Sequence, residues 1–279
     1  MTSPIVSNDW LTDRLLDPSI KVIEVSAKQG EEAGYAESHI PGAINFWWKD
    51  LCWHETDRQF VTPEQLAERL GAVGISDEDR LVLYGEPVQY GTYAFWALTM
   101  AGHPNLLVLD GGRTKWLAED RPSTSSVPET GPVEYEVQQA NEWMRLGRDN
   151  IRDNLGNDGR LLLDMRSPEE YSGERVMELG QFDHGAERGG RIPGAQHLFF
   201  KELINDDDTF KSVDELKAKF EAAGADPSKV DEIVCYCRLS HRATLAWTAM
   251  TFILGYEGVK IYDGSWTEWG SIVGFPVEK

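Results

Sequence analysis

In the second half of the chain, short unbroken apolar runs alternate with longer segments whose apolar residues recur at helical spacing. Leu161-Leu162-Leu163-Asp164, Ile233-Val234-Cys235-Tyr236 and Val259-Lys260-Ile261-Tyr262 read as strands, and Val213 to Ala223 and Ala243 to Leu254 as helices. Short buried strands alternating with helices imply an α/β architecture, a mostly parallel sheet covered on both faces. The first half carries the same pattern. Leu81-Val82-Leu83-Tyr84-Gly85 aligns with Ile233-Val234-Cys235-Tyr236-Cys237 at an offset of 152 residues, and Thr92 to Phe95 aligns with Thr244 to Trp247 at the same offset. His39-Ile40-Pro41-Gly42-Ala43 matches Arg191-Ile192-Pro193-Gly194-Ala195, and Asp110-Gly111-Gly112 through Trp116 matches Asp263-Gly264-Ser265 through Trp269 with a one-residue slip. Matched blocks in one order mean a duplicated domain. Pro, Ser, Thr and Gly crowd the stretch from Arg121 to Pro132, so the expected division is a first domain over 1–121, a linker over 122–132 and a second domain over 133–279.

Composition narrows the class. A chain of 279 residues with 41% apolar residues and ten tryptophans can build two cores, while three cysteines cannot form a complete disulfide framework. The start, Met1-Thr2-Ser3-Pro4-Ile5, has neither a basic region nor an apolar signal stretch, so a soluble, cytoplasmic protein without a membrane span is expected. A net charge of -20, from 47 acidic against 27 basic side chains, argues against nucleic acid or an anionic membrane as partner. That field also repels an anionic substrate, which gives any local arginine cluster more meaning.

Such a cluster follows the second strand. Cys237 opens Cys237-Arg238-Leu239-Ser240-His241-Arg242 before the apolar stretch from Ala243. A strand feeding a short loop into a helix aims backbone N–H groups and the positive end of the helix dipole at one sulfur, and two arginines add to the effect. The alternative for Cys237 is a buried strand cysteine. Cys235, two residues earlier on the strand, reads as core, because two cysteines without clustered histidines make a poor zinc set. Cys52 with His54 reads as packing. The second copy also carries about a dozen extra residues in the Glu174 to Gly190 region. That insertion ends in Glu187-Arg188-Gly189-Gly190-Arg191, which either brings two more cations towards the site or is a solvated loop.

Asp164-x-Arg166 with Glu170-Tyr171, Arg191-Ile192-Pro193-Gly194-Ala195, the Cys237 to Arg242 loop, and Tyr262-Asp263-Gly264-Ser265-Trp266 with Trp269 together resemble the tandem-domain rhodaneses, the thiosulfate sulfurtransferases. The resemblance spans nearly the whole chain. It implies two rhodanese-like domains, the first inactive and the second catalytic, with Cys237 attacking the outer sulfur of thiosulfate, carrying a persulfide and passing it to cyanide or another thiophile. It implies a small-molecule donor and acceptor, and neither metal nor organic cofactor. The first copy has Gly85 where the second has Cys237, and Glu86 where it has Arg238, so it lacks both nucleophile and cation.

On this resemblance, the N–H groups from Arg238 through Leu239, Ser240 and His241 to Arg242 cradle the transferred sulfur, and Arg238 and Arg242 take the sulfonate. Arg242 has the alternative of a surface carboxylate, and Arg191 is a further candidate from the insertion. Ser240 is placed to donate through its hydroxyl, and His241 is expected at the solvent. Asp164, Arg166 and Asp263 are expected to brace the loop and strands. The charged loop fits thiosulfate better than 3-mercaptopyruvate, whose enzymes typically show a smaller Cys-Gly-Ser-Gly type of loop. Glu170 departs from the pattern, standing where thiosulfate enzymes place an arginine. A phosphatase of related fold would need the longer Cys-x5-Arg loop, and a persulfide carrier serving a protein acceptor is a further alternative. The duplication supplies a two-domain interface of its own, so a monomer is expected.

Overall fold

A computed structural model of the protein describes residues 3–29, 34–176 and 186–279. By contact the chain divides into two units, Met1–Glu142 with Asp206–Thr209, and Trp143–Asn205 with Phe210–Lys279.

The first unit runs β1 (Ile5–Val6), α1 (Asn8–Thr12), β2 (Ile20–Ser26), β3 (Ile44–Trp47), α2 (Trp48–Cys52), α3 (Pro63–Ala72), β4 (Arg80–Glu86), α4 (Gln89–Met100), β5 (Leu106–Leu109) and α5 (Gly112–Ala118). Its sheet has the order β1-β5-β4-β2-β3, with every pair parallel. The second unit runs β6 (Arg145–Leu146), α6 (Arg148–Asp153), β7 (Arg160–Asp164), α7 (Pro168–Ser172), β8 (Gln196–His197), α8 (Val213–Ala222), β9 (Glu232–Tyr236), α9 (His241–Thr248), β10 (Val259–Tyr262) and α10 (Ser265–Trp269). Its order, β6-β10-β9-β7-β8, again all parallel, repeats the first sheet strand for strand. Two parallel sheets flanked by helices thus bear out the duplicated α/β reading.

The central strands β4 and β9 are the unbroken apolar runs. Leu81 to Tyr84 and Ile233 to Tyr236 are buried throughout, as a strand covered on both faces requires. Tyr236 and Val234 pack with Tyr262, Trp266 and Trp269 in the second core, and Tyr84 and Val82 with Trp116 in the first. Central position matters for function, because ligands of parallel sheets collect at the carboxyl ends of the strands.

Capping sets where helices start. Ser167 accepts from the N–H of Glu170, whose side chain accepts from the N–H of Ser167, with Pro168 at the first helical position. The box holds α7 and orients Glu170. The helix expected over Ala243 to Leu254 begins two residues earlier, at His241, and departs from α geometry after Thr248. From Ala249 to Ile253 the turns widen, and the N–H of Leu254 reaches back five residues to the carbonyl of Ala249 at 3.0 Å.

The stretch after Arg121 forms no helix or long strand before β6, yet it is tied down. Thr124 and His39 exchange backbone hydrogen bonds at 2.9 and 2.8 Å, Val133 N–H donates to Gly71 and Asn141 N–H to Met100. These bonds satisfy backbone groups that an extended segment would otherwise leave to water. Among the described residues no helix is long and apolar enough to cross a membrane.

Candidate active site

β9 ends at Tyr236, so Cys237 leaves the sheet at the carboxyl end of its central strand. The loop is clamped from one side by the first residues of α10. Cys237 N–H donates to Ser265 Oγ at 3.2 Å, and that hydroxyl donates to the carbonyl of Tyr262 at 2.9 Å. Trp266 N–H then donates to the carbonyl of Cys237 at 2.9 Å, and Thr267 N–H to that of Arg238 at 3.2 Å. Cys237 is 1% exposed.

Ser240 turns the chain into α9. Its φ of 67° lies in the left-handed region, uncommon for a residue with a side chain, and its carbonyl accepts the N–H of Thr244 at 3.0 Å. The first N–H groups of a helix have no acceptor within it, so those of α9 face back over the loop with the positive end of the dipole. The Ser240 hydroxyl, however, donates to the carbonyl of Leu239 at 2.6 Å and faces that of Asp263 at 3.5 Å. It braces the turn.

The other site candidates separate by position. Arg238 follows the cysteine, half-buried, and its Nη1 is buried with no hydrogen-bond acceptor. Leu239 is half-buried at the crest of the loop. His241, expected at the solvent, is 9% exposed as the first residue of α9, because the left-handed turn at Ser240 directs it inward. Arg242 points to α7, where its Nη1 and Nη2 donate to the two carboxylate oxygens of Glu170 at 2.6 and 2.9 Å. The partner is a buried carboxylate, 0% exposed, and not one at the surface. Burial would push the Glu170 carboxyl up, but the hydrogen bonds and charge of Arg242 outweigh it and hold the group below the ordinary carboxylate range.

The insertion contributes no cation to the loop through its described residues; 177–185 lie outside them. Arg188 spends its guanidinium on the carbonyls of Trp269, Gly270, Ile272 and Phe275, a bolt across the C-terminal segment. Arg191 pairs with Glu278, exchanges backbone hydrogen bonds with it, and lies over the Tyr171 ring at 4.6 Å.

Beneath the loop, Arg166 and Asp164 form a fully buried pair, with Nη2 at 2.6 Å from Oδ2, and the Arg166 guanidinium sits 4.5 Å above the Trp266 ring. Asp263 is held by Arg145 at 2.9 Å. Both carboxylates brace the scaffold, as expected. Cys235 and Cys52 are 0% exposed, and burial pushes both thiols far up, so they stay protonated.

In the first unit the matching position is closed. A Cβ on Gly85 would lie 2.7 Å from the nitrogen of Gly91 and 2.8 Å from Cβ of Tyr90. Glu86 pairs with Arg113 at 2.8 Å, and Arg113 also reaches the buried Glu24, the counterpart of Asp164. The two units therefore build the same buried charge pair with an arginine from different elements. Gly85→Cys is expected to destabilise the protein by about 1–3 kcal/mol through overpacking. In a Cys237→Ser background it should restore no persulfide, as denaturation and intact-mass measurement would show.

Spacing alone did not reveal Ser265, Thr267 or the engagement of Glu170 with the loop arginine. The Ser167-Pro168-Glu169-Glu170 box was the one local signal for the last.

A duplicated parallel α/β fold with one cysteine loop, at the end of one of two central strands, defines the class. The chain belongs to the rhodanese family: the rhodanese-like domain matches twice, at residues 7–119 and 148–272. It is 39% identical over 279 residues to the sulfur carrier protein TtuD of Thermus thermophilus, covering 99% of this chain and 96% of that one. It is 38% identical over 281 residues to a protein of Haloferax volcanii named "Putative thiosulfate sulfurtransferase", covering 99% and 96%. Among solved structures it is similar to YnjE, with a TM-score of 0.84 and 25% identity over 98% of this chain and 68% of that one. The anaerobic ergothioneine biosynthesis enzyme of Chlorobium limicola shares the fold, with a TM-score of 0.82 at 24% identity over 99% and 70%. The chain is a sulfurtransferase by family.

Proposed function

We propose that this chain moves sulfane sulfur from thiosulfate to a thiophilic acceptor through a persulfide on Cys237, in a ping-pong cycle. The observation that carries the reading is a buried cysteine, backbone-clamped at the head of the loop that leads into α9, next to an arginine whose buried Nη1 lacks an acceptor. The Cys237 thiolate attacks the outer sulfur of thiosulfate, a new S–S bond forms, and the old one breaks with its electron pair leaving on sulfite. Cyanide or another nucleophile then attacks the terminal sulfur, and the electron pair of the persulfide bond returns to Cys237. Arg238 takes the sulfonate, while the N–H groups of the loop stabilise charge on the transferred sulfur. With Gly85 in place of a nucleophile, the first unit is inactive in this reading. A phosphatase loses support, since Arg242, the arginine a phosphate would need, is tied to Glu170.

The test is thiocyanate formation from thiosulfate and cyanide, compared with 3-mercaptopyruvate as donor. Thiosulfate should be the better donor, and Arg238→Ala should raise its KM by roughly ten- to a hundredfold, the worth of charged hydrogen bonds. Faster turnover of 3-mercaptopyruvate, or an unchanged KM, would overturn the assignment. The similarity to a sulfur carrier protein supports a second reading, in which the thiol of a protein partner is the acceptor. In that case the persulfide forms from thiosulfate but is discharged slowly by cyanide.

A further inference from the structure

Thr267 carries a second orphaned hydrogen-bonding group beside the cysteine loop. Its N–H donates to the carbonyl of Arg238 at 3.2 Å, which brings its backbone against the residue after the nucleophile. Its Oγ1 is buried and has no hydrogen-bond partner. Buried hydroxyls are normally bonded, and a helical serine or threonine usually reaches the carbonyl four residues back. This chain follows that habit elsewhere: Thr12 donates to Asn8 at 2.7 Å, Thr99 to Phe95 at 2.6 Å, and Ser271 to Thr267 itself at 2.8 Å. Thr267 does not, and the carbonyl it would use, that of Asp263, faces the Ser240 hydroxyl.

Orphaned groups elsewhere in the second unit have other surroundings. Nη1 of Arg166 belongs to a guanidinium stacked over Trp266, whose ring face takes up the charge. The unpartnered hydroxyls of Thr248, Thr251 and Tyr256 belong to the end of α9 and the widened turns after it. Arg238 and Thr267 carry orphaned donors on backbones bonded to each other next to Cys237. Side chains of a helix lean towards its N-terminus, and for α10 that end is bonded to Cys237 through Ser265 and Trp266.

We propose that Thr267 is a donor-binding residue: its hydroxyl and Nη1 of Arg238 together hold the oxyanion end of the sulfur donor. The hydroxyl gives one hydrogen bond to a sulfonate oxygen of thiosulfate, and the guanidinium supplies the charge. A tetrahedral sulfonate has three oxygens to satisfy, and a neutral hydroxyl serves one of them without burying a further charge. The inference rests on the reading of Cys237 as the sulfur-accepting thiol.

Thr267→Val keeps the shape and removes the hydroxyl, while Thr267→Ser keeps the hydroxyl. Steady-state assays of both should show a KM for thiosulfate raised about tenfold in the valine variant, and near wild type in the serine variant. Discharge of preformed Cys237 persulfide by cyanide should be unchanged in both, which a merely structural loss would not allow. A wild-type KM in Thr267→Val, equal losses in the two variants, or slowed discharge would overturn the proposal while leaving the sulfur-transfer reading intact. Failure of the wild-type protein to form a persulfide from thiosulfate would sink both.

Discussion

Replacing Cys237 by serine is expected to abolish sulfur transfer, lowering turnover of thiosulfate by at least about a thousandfold. The serine hydroxyl fills nearly the same space at the end of β9, so the clamp from Ser265, Trp266 and Thr267 to the loop backbone should persist. The chemistry is lost for two reasons. A hydroxyl stays protonated at neutral pH and attacks sulfur poorly, and an oxygen cannot take its place as the leaving group when the acceptor removes the outer sulfur. Incubation with thiosulfate should add one sulfur atom to the mass of the wild-type protein and none to the variant. Cys235 and Cys52 cannot substitute, because burial keeps their thiols protonated and away from solvent. Full activity in the serine variant would place the chemistry elsewhere.

Glu170→Ala should strongly destabilise the protein. It leaves the Arg242 guanidinium, whose side chain is 11% exposed, without its bidentate carboxylate, and breaking a buried pair in this way costs about 3–5 kcal/mol. It also removes the Glu170 half of the α7 capping box, so the helix start loosens with it. Glu170→Gln keeps hydrogen bonding and should cost less. The pH dependence has a definite sign. Because the folded protein holds the Glu170 carboxyl below its ordinary value of 4.5, the pair's contribution is fully present above that value and is lost as pH falls through the lower, folded one. The stability gap between wild type and Glu170→Gln, measured by denaturation, should therefore be widest near neutral pH and shrink in acid. A gap that grows in acid would contradict the pairing.

Part of the candidate site is legible in the sequence, and the divisions follow from how far apart in the chain the interacting groups lie. The strand ending in Cys237 was legible because a central strand of a parallel sheet is apolar at every position, and the loop because it joins that strand to a helix. Arg238 was legible as the neighbour of the thiol. Arg242 was harder, since its partner Glu170 lies 72 residues earlier and becomes a neighbour only when β7 pairs with β9. His241 was misjudged because one left-handed residue, Ser240, reverses the direction in which the next side chain points. Arg188 and Arg191 looked like site cations by charge, yet both are used to pin the C-terminal segment.

By itself the chain's pattern determined the α/β class, the duplication, and a single cysteine loop, since a glycine at position 85 offers no nucleophile whatever surrounds it. Tertiary structure alone decided which of the candidate arginines are paired. Coulombic pairing depends on a few ångströms of separation, which chain distance does not encode, and the fold brings Glu170 to Arg242 and Glu278 to Arg191 while leaving Nη1 of Arg238 without an acceptor. The same packing bonds the Thr267 backbone to Arg238 and leaves its hydroxyl without a partner, which nothing in the sequence signals because it depends on what α10 is bonded to.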